Sequence, residues 1–576
     1  MSIVTGRLPS RSLGRRFSVP RASDLGLGVI VVTVLLLTLT PIYFLAKGSL
    51  LSGRPGQAGV TYTLDPLREV FTTTAYLESL KNSLLFGVLV ATLATLLVGT
   101  VCWVVARTDI PGRQFLLLII PASLAVGPIV GAMAWIALLS PGGAGLVNKW
   151  AESLIGRDLM SIYTIPGIVL VLTFAFAPFA FLFMYGGLAG LASDQEEAAR
   201  VHGGTLREVF RRVSLPSARS TLLGGWILIF GMALQNLSVY ALIGNRSHIP
   251  TIPASMFRVV QSGENVGQAN ALALMIIIPS LLVLVWHVAY TRRLGTQKLL
   301  GRQLGPPGVR LGRWKPVVMV GLGLYLLVFV VLPVGALVLS SFLKFRTADI
   351  TWELFTFEHY RMIMDTTSVR DALWTTIKLS LTVATLGTSI SLITAYIANY
   401  RKGVLGAIVG IGPILLLTVP GFALGLGFLW ASFSSVAIRE WSGTVIGLSV
   451  AVMLAYLGYG TRVFGSSLNQ FGAAYEEAGV VAGKSTWVRL TRIVTPILLP
   501  SVISVWRLLA VLSMLEFNIV ALLYEGNTVP LAVFMFGLLD SRPAAGVFAL
   551  GVCQVVLVMI ISFLTLFPGR KVRRYQ

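Results

Sequence analysis

Twelve stretches of this sequence are apolar over about 20 residues each, the length that crosses a bilayer. They run over 25–46, 82–106, 115–140, 165–191, 220–244, 267–290, 316–341, 375–400, 404–431, 442–460, 502–524 and 546–568. In hydrocarbon no water satisfies the backbone, so segments of this kind are helices. The expected fold is an all-α polytopic membrane protein. A content that is 55% hydrophobic and 12% charged, with a mean hydropathy of +0.83, excludes a soluble globular chain with an ordinary polar surface. The apolar piece 526–539 is too short to span and is expected as an amphipathic or re-entrant element on the outer side. The stretches between spans are too short to hold a soluble domain, so any energy source is another chain.

A net charge of +22 suggests a nucleic-acid partner until the basic residues are located. They fall in short blocks between apolar runs, not on one face or arm, so no nucleic-acid partner is expected. Arg7, Arg11, Arg15, Arg16 and Arg21 precede the first run; Arg292, Arg293, Lys298, Arg302, Arg310, Arg313 and Lys315 fill an acid-free central segment; Arg570, Lys571, Arg573 and Arg574 close the chain. By the positive-inside rule all three blocks are cytoplasmic. An even number of spans places both termini on one side, in agreement. The expected organisation is a basic tail at 1–24, a first half at 25–290, a basic linker at 291–315, a second half at 316–568 and a tail at 569–576. The run 25–46 carries no charge and no cleavage signal, so it reads as a retained span. The tail before it suits an anionic lipid surface. His202, His248, His287 and His359 are scattered, and Cys102 and Cys553 sit in apolar runs, so neither a metal site nor a disulfide is assigned.

The chain also repeats itself. Residues 195–220 align without gaps on 475–500, keeping Glu196/Glu476, Glu197/Glu477, Ala198/Ala478, Val201/Val481, Gly203/Gly483, Arg212/Arg492 and Pro216/Pro496. The same offset carries Trp226 onto Trp506 and Ala241–Leu242 onto Ala521–Leu522. Upstream, VATLAT at 90–95 matches VATLGT at 383–388 at a larger offset, so a loop has been shortened between the two marks. Each half holds six spans, an even number, which gives both the same orientation about an axis along the membrane normal.

The best-matching parts are polar loops, 192–219 and 472–500, on the expected cytoplasmic side. Glu197-Ala198-Ala199 and Glu477-Ala478-Gly479 open a helix with an acid near its positive end and small residues that allow close approach. Gly203 and Gly483 permit a turn, and Pro216 or Pro496 begins the next span. Helix, glycine turn and helix make a docking knob. The pattern E-A-A, three residues, G, nine residues, I/V, one residue, L-P resembles the EAA loop of ABC importer permeases. The first copy continues through Gly203, Val213 and Leu215-Pro216, the second through Gly483, Ile493 and Thr495-Pro496, with Gly479 and Thr495 departing from the pattern. The resemblance covers nearly the whole chain. It implies the type I importer permease fold in a bacterial inner membrane and alternating access driven by two copies of an ABC ATPase subunit that hold ATP and Mg. It also implies a periplasmic or extracytoplasmic solute-binding protein. The stretch from Ala478 to Ser485 fits a loose phosphate-binding loop, but that motif needs a strand-to-helix turn in an α/β domain, for which there is no room. No catalytic residue and no cofactor are expected on this chain.

Candidate pathway residues come from intramembrane polarity. An ionisable group near the bilayer centre costs about 2.5–3.5 kcal/mol on insertion scales and so faces an aqueous path or a partner. Glu516, in the eleventh span, falls on Asn236 in the fifth, and Gln235 and Asn518 adjoin them. The alternative is that these residues only pin helices together. The segments 236–260 and 514–541 resemble the ferric-iron branch of these permeases, whose halves are commonly fused; thiamine, phosphonate and polyamine permeases are built similarly. No cluster of Tyr, His or carboxylate is expected in the spans. A secondary transporter would carry several intramembrane acids for ion coupling, whereas Glu516 is nearly alone.

Overall fold

The computed structural model describes residues 22–564 apart from 54–56, 58, 191–195, 197, 200, 264–265, 294–308, 401–405, 407–408, 411, 414–415, 417–418, 472–473 and 542–545. Its first half contains α1 (Ala22–Gly48), α2 (Asp65–Thr72), α3 (Thr74–Arg107), α4 (Arg113–Leu139), α5 (Ile165–Ala189), α6 (Arg207–Leu234), α7 (Ile252–Ser262) and α8 (Val266–Arg293). The second contains α9 (Gly312–Ser341), α10 (Glu358–Asp365), α11 (Thr367–Tyr400), α12 (Gly421–Ser434), α13 (Val445–Phe471), α14 (Leu499–Met514), α15 (Leu531–Ser541) and α16 (Gly546–Leu564). Helix lengths repeat: α3 and α11 have 34 residues each, α2 and α10 have 8, and α7 and α15 have 11.

Among the described residues nine helices are long and apolar enough to cross a membrane. Thr486–Ile497 and α14 pass the same test only as a pair, and they meet at 84°. Of the other two expected spans, 25–46 lies in α1, and 404–431 falls partly outside the described residues with α12 as its described end. The bend before α14 has a local cause. Pro500 sits at its second position and cannot continue the preceding turn, whereas the first half has Ser220 at the matching place and runs unbroken from Arg207.

Three expectations about helix ends are corrected. The fifth and eleventh spans do not run to 244 and 524; their helices stop at Leu234 and Met514, and the chain resumes as short helical turns at Leu237 and Val520. Hydropathy misses these breaks because both sides of each are apolar. Pro216 does not begin a span either. It lies inside α6, just after a wide turn over Phe210–Ser214 in which the Leu215 amide reaches back to the Phe210 carbonyl. The second half repeats that wide turn over Leu490–Val494. Wide turns of this kind recur as single insertions at functional places.

Within each half the same three helices pack together, α3 with α5 and α6, and α11 with α13 and α14. Repeated hydrogen bonds hold them. Trp226 Nε1 donates to Thr92 Oγ1 at 3.1 Å and Trp506 Nε1 to Thr385 Oγ1 at 3.2 Å, which joins the two sequence marks of the repeat in space. The short helices α7 and α15 are anchored alike, the Ile252 amide donating to Ser83 Oγ at 2.9 Å and the Leu531 amide to Thr376 Oγ1 at 2.8 Å. The piece expected at 526–539 holds most of α15, which packs on α11 and α16.

The opening helix of each half crosses to the other. α1 packs on α12, and α9 packs on α4. The α1–α12 contact is backbone-close: a Cβ on Gly427 would stand 2.2 Å from the Pro41 carbonyl oxygen. Gly427→Ala is expected to cost about 1–3 kcal/mol by overpacking, read as an earlier thermal unfolding transition in detergent. Gly321→Ala, where an added Cβ meets nothing within 4 Å, is the control. An unchanged transition for Gly427→Ala would show that α1 does not lock the halves together there.

Candidate functional site

Each matching loop is a helix, a glycine turn and a helix. Gly203 and Gly483 adopt φ of +84° and +68°, and an added Cβ would meet nothing within 4 Å at either. The glycines therefore serve the left-handed backbone, not space. The turn repeats bond for bond: the Gly204 amide donates to Ala199 O at 3.0 Å and the Lys484 amide to Gly479 O at 3.1 Å. The next helix begins in the first loop with a Thr205–Glu208 capping box, in which the Thr205 amide and hydroxyl donate to Glu208 Oε2 at 3.0 and 2.9 Å. Those bonds, the amide first, hold the Glu208 carboxyl below its ordinary range. In the second loop Ser485 Oγ takes the capping role, accepting from the Val488 amide at 3.4 Å. Lys484 and Ser485 thus follow a helix, Ala474–Val481, where a phosphate-binding loop would follow a strand.

The expected leading acids are not the anchors. Glu197 lies outside the described residues, and Glu477 is exposed, as is Ala478. The preceding glutamates carry the loops instead. Glu196 is buried, accepting from Arg107 Nε at 3.0 Å, from a second Arg107 nitrogen, and from Ser214 Oγ at 2.6 Å. Glu476 accepts from Tyr396 at 2.6 Å and from Arg489 Nε at 2.7 Å. Arg107 and Tyr396 sit in the last turns of α3 and α11, so each loop is bonded to the equivalent helix by different chemistry. This also accounts for Gly479: an added Cβ would lie 2.8 Å from Arg489 Cδ, and the first half has Val209 where the second has Arg489. The identity of Glu196 and Glu476 in both copies was the available signal; the donors on α3 and α11, Arg107 and Tyr396, lie 89 and 80 residues away and left none.

The linker joins the same place. The Val309 amide donates to Arg107 O at 3.1 Å and the Asp109 amide to Val309 O at 3.3 Å. Asp109 accepts from the Leu311 amide at 2.9 Å and pairs with Lys315 at 3.5 Å. The Leu311 amide is the main reason that the Asp109 carboxyl is held below its ordinary range.

The four intramembrane polar residues meet at one cavity of about 110 Å³ between the halves, lined also by Phe176, Phe179, Tyr456 and Tyr459. Gln235 Oε1 accepts from the Gly421 amide at 2.7 Å and Asn518 Oδ1 from the Leu237 amide at 3.1 Å, both across the two halves. Asn236 Oδ1 caps the resumed helix through the Val239 amide at 2.9 Å, and Glu516 Oε1 does so through the Ile519 amide at 2.8 Å. Tyr456 donates its hydroxyl to the other Glu516 oxygen. The same residues thus pin the bundle and face the cavity.

One sequence expectation is corrected here. Tyr456, Tyr459 and Glu516 do form a phenol and carboxylate cluster in the spans. α13 and α14 also carry Arg462, exposed, and Arg507, half-buried. Arg462 lay just past the expected end of its span. The first half has Leu182 and Ile227 at those two places.

Glu196 answers both Arg107 and Ser214 from a buried position, so Glu196→Ala is expected to cost about 3–5 kcal/mol. Glu477→Ala, at an exposed position, should stay within about 0.5 kcal/mol. Thermal unfolding of the two variants checks this, and equal shifts would remove Glu196 from its role as the anchor.

The family model described as a binding-protein-dependent transport system inner membrane component matches residues 101–296, which include the first loop and the break at Gln235–Asn236. The sulfate transport system permease protein CysW of Escherichia coli (strain K12) is 28% identical over 214 residues, covering 37% of this chain and 68% of that protein. The spermidine/putrescine transport system permease protein PotC of Haemophilus influenzae is 23% identical over 261 residues, 44% of this chain and 91% of that protein. The ferric transport system permease protein FbpB of Actinobacillus pleuropneumoniae is 22% identical over 432 residues, 73% of this chain and 61% of that protein. Its match is long enough to take in both copies of the loop. The chain is therefore similar, in its first half and over most of its length, to membrane permeases of binding-protein-dependent transport systems.

Proposed function

We propose that this permease carries ferric iron across the inner membrane, with both termini and both loops in the cytoplasm. One observation carries the substrate: the ferric permease FbpB matches over 73% of this chain, whereas the CysW match covers 37%, the length of one half. The two glycine-turn loops are the docking knobs for two ATPase subunits, through Ala198, Ala199, Gly203 and Pro216 in one and Glu477, Ala478, Gly479, Gly483 and Pro496 in the other. Glu197 belongs with the first set by its place in the motif. ATP and Mg belong to the ATPase subunits, and this chain hydrolyses nothing. A solute-binding protein delivers the ion at the opposite face.

In this reading, ATP closes the ATPase pair because its affinity differs between the two states. Closure moves the knobs, and Glu196 and Glu476 pass that movement to α3 and α11 through Arg107 and Tyr396. The cavity at Gln235, Asn236, Glu516 and Asn518 is the midpoint of the path. A second reading, transport of an oxyanion such as sulfate, draws on Arg462 and Arg507 together with the likeness to CysW.

The test is uptake of labelled ferric iron and of labelled sulfate by a transport-deficient strain carrying the intact chain or Gly203→Asp with Gly483→Asp. An aspartate at each left-handed position costs about 1–2 kcal/mol and adds a charge to the docking face. The intact chain is expected to restore iron uptake, and the double variant to lose both uptake and copurifying ATPase. Sulfate uptake without iron uptake would replace the first reading by the second.

A further inference from the structure

The cavity between the halves is lined by matched pairs that differ in one direction. Phe176 of α5 corresponds to Tyr456 of α13, Phe179 to Tyr459, and Asn236 to Glu516, and all six face the same space. Each change from the first half to the second adds an oxygen donor.

The first half shows that the fold does not require these donors. Phenylalanine fills the same positions on α5, and the Asn236 amide oxygen caps the resumed helix as the Glu516 carboxylate does, at 2.9 and 2.8 Å. A buried carboxylate in a membrane is costly and marks a site with a task. We infer that Glu516, Tyr456 and Tyr459 form a transient coordination station for a hard trivalent cation at the midpoint of the path, built from the second half alone. This rests on the ferric reading and names the chemistry by which this chain touches its cargo.

Carboxylate and phenol oxygens suit hard cations, and no thiol or imidazole lines the cavity to favour a softer metal. The neighbouring amide groups of Gln235, Asn236 and Asn518 are engaged with backbone amides, as is Glu516 Oε1, so they shape the space while Glu516 Oε2 and the two phenol oxygens serve as ligands. The volume of about 110 Å³ admits one ion with several waters, each needing roughly 10–15 Å³, and is small for a polyamine or an organic chelate. The charges balance. One carboxylate and two phenolates neutralise a trivalent ion, and each phenol that ligates releases one proton to water. Tyr456 now donates to Glu516, so the ion enters between two groups already side by side. Arg462 follows Tyr459 by three positions along α13, and an anion drawn to it and to Arg507 is the rival occupant.

The experiment uses the full chain copurified with its ATPase subunits in lipid nanodiscs, titrated with ferric nitrilotriacetate. A phenolate-to-iron charge-transfer band is expected in the visible region. Tyr456→Phe with Tyr459→Phe should abolish it, and Glu516→Asn should weaken ion binding about 10-fold or more. These variants install the residues of the first half, and an unchanged thermal transition verifies the fold. No band with the intact chain, or a band that persists in the double variant, overturns the station. In cells, iron uptake equal in the intact chain and the triple variant overturns the station and leaves the ferric reading standing. Sulfate uptake with no iron uptake overturns both.

Discussion

The structure depends on what happens to a backbone amide when a helix stops inside the membrane. Each unsatisfied group in hydrocarbon costs several kcal/mol, so a break is tolerated only where protein supplies acceptors. Here the fifth and eleventh spans break at matching places of the repeat, and three polar side chains answer, Asn236 for the Val239 amide, Glu516 for that of Ile519 and Asn518 for that of Leu237, while Gln235 answers the Gly421 amide at the start of α12. Two of these bonds cross between halves. The polarity that a pathway needs is therefore already required by the fold at this one place. A break in a span, a contact between halves and a polar-lined cavity meet at the same place.

In the proposed mechanism, transmission from the loops depends on a second buried interaction, and its value lies in position more than in energy. A buried ion pair such as Arg107 with Glu196 contributes little net stability against an apolar replacement, because desolvation offsets attraction. It does fix geometry, since both partners are buried and Glu196 also holds Ser214. The second half reaches the same end with a phenol from α11 and a guanidinium from its own loop. The shared element is the carboxylate at the start of the loop bonded to the end of α3 or α11, the helices around which each half packs. The linker at Val309 bonds to the same end of α3, so the connection between halves and the root of one loop share an anchor.

Much of this was legible in the sequence, and what was not has physical causes. Hydropathy located the spans because a bilayer imposes length and apolarity on all of them. It could not locate the breaks at Leu234 and Met514, since a few polar residues between apolar flanks barely change a window average. The loops were found because their backbone needs glycine at Gly203 and Gly483, a requirement written as an invariant letter. Glu516 stood out as a charge, but Tyr456 and Tyr459 read as two more aromatics in an apolar helix. Only the packing of α13 against the broken span brings their hydroxyls to the carboxylate.

Fusion of the two halves bears directly on that cluster. In a dimer of identical subunits every residue at the axis occurs twice, so a carboxylate at the Glu516 position would face its own copy across a small cavity. Two acids in one low-dielectric site cannot both remain ionised, and a residue in the Arg489 position would likewise have to serve both loops. A single chain escapes that restriction. The first half can keep Phe176, Phe179 and Asn236, which fill space and cap a helix, while the second carries all of the charge. The repeat supplies the architecture, and the departures from it, concentrated on α13, α14 and the break that follows, are where residues are free to be chosen for the cargo.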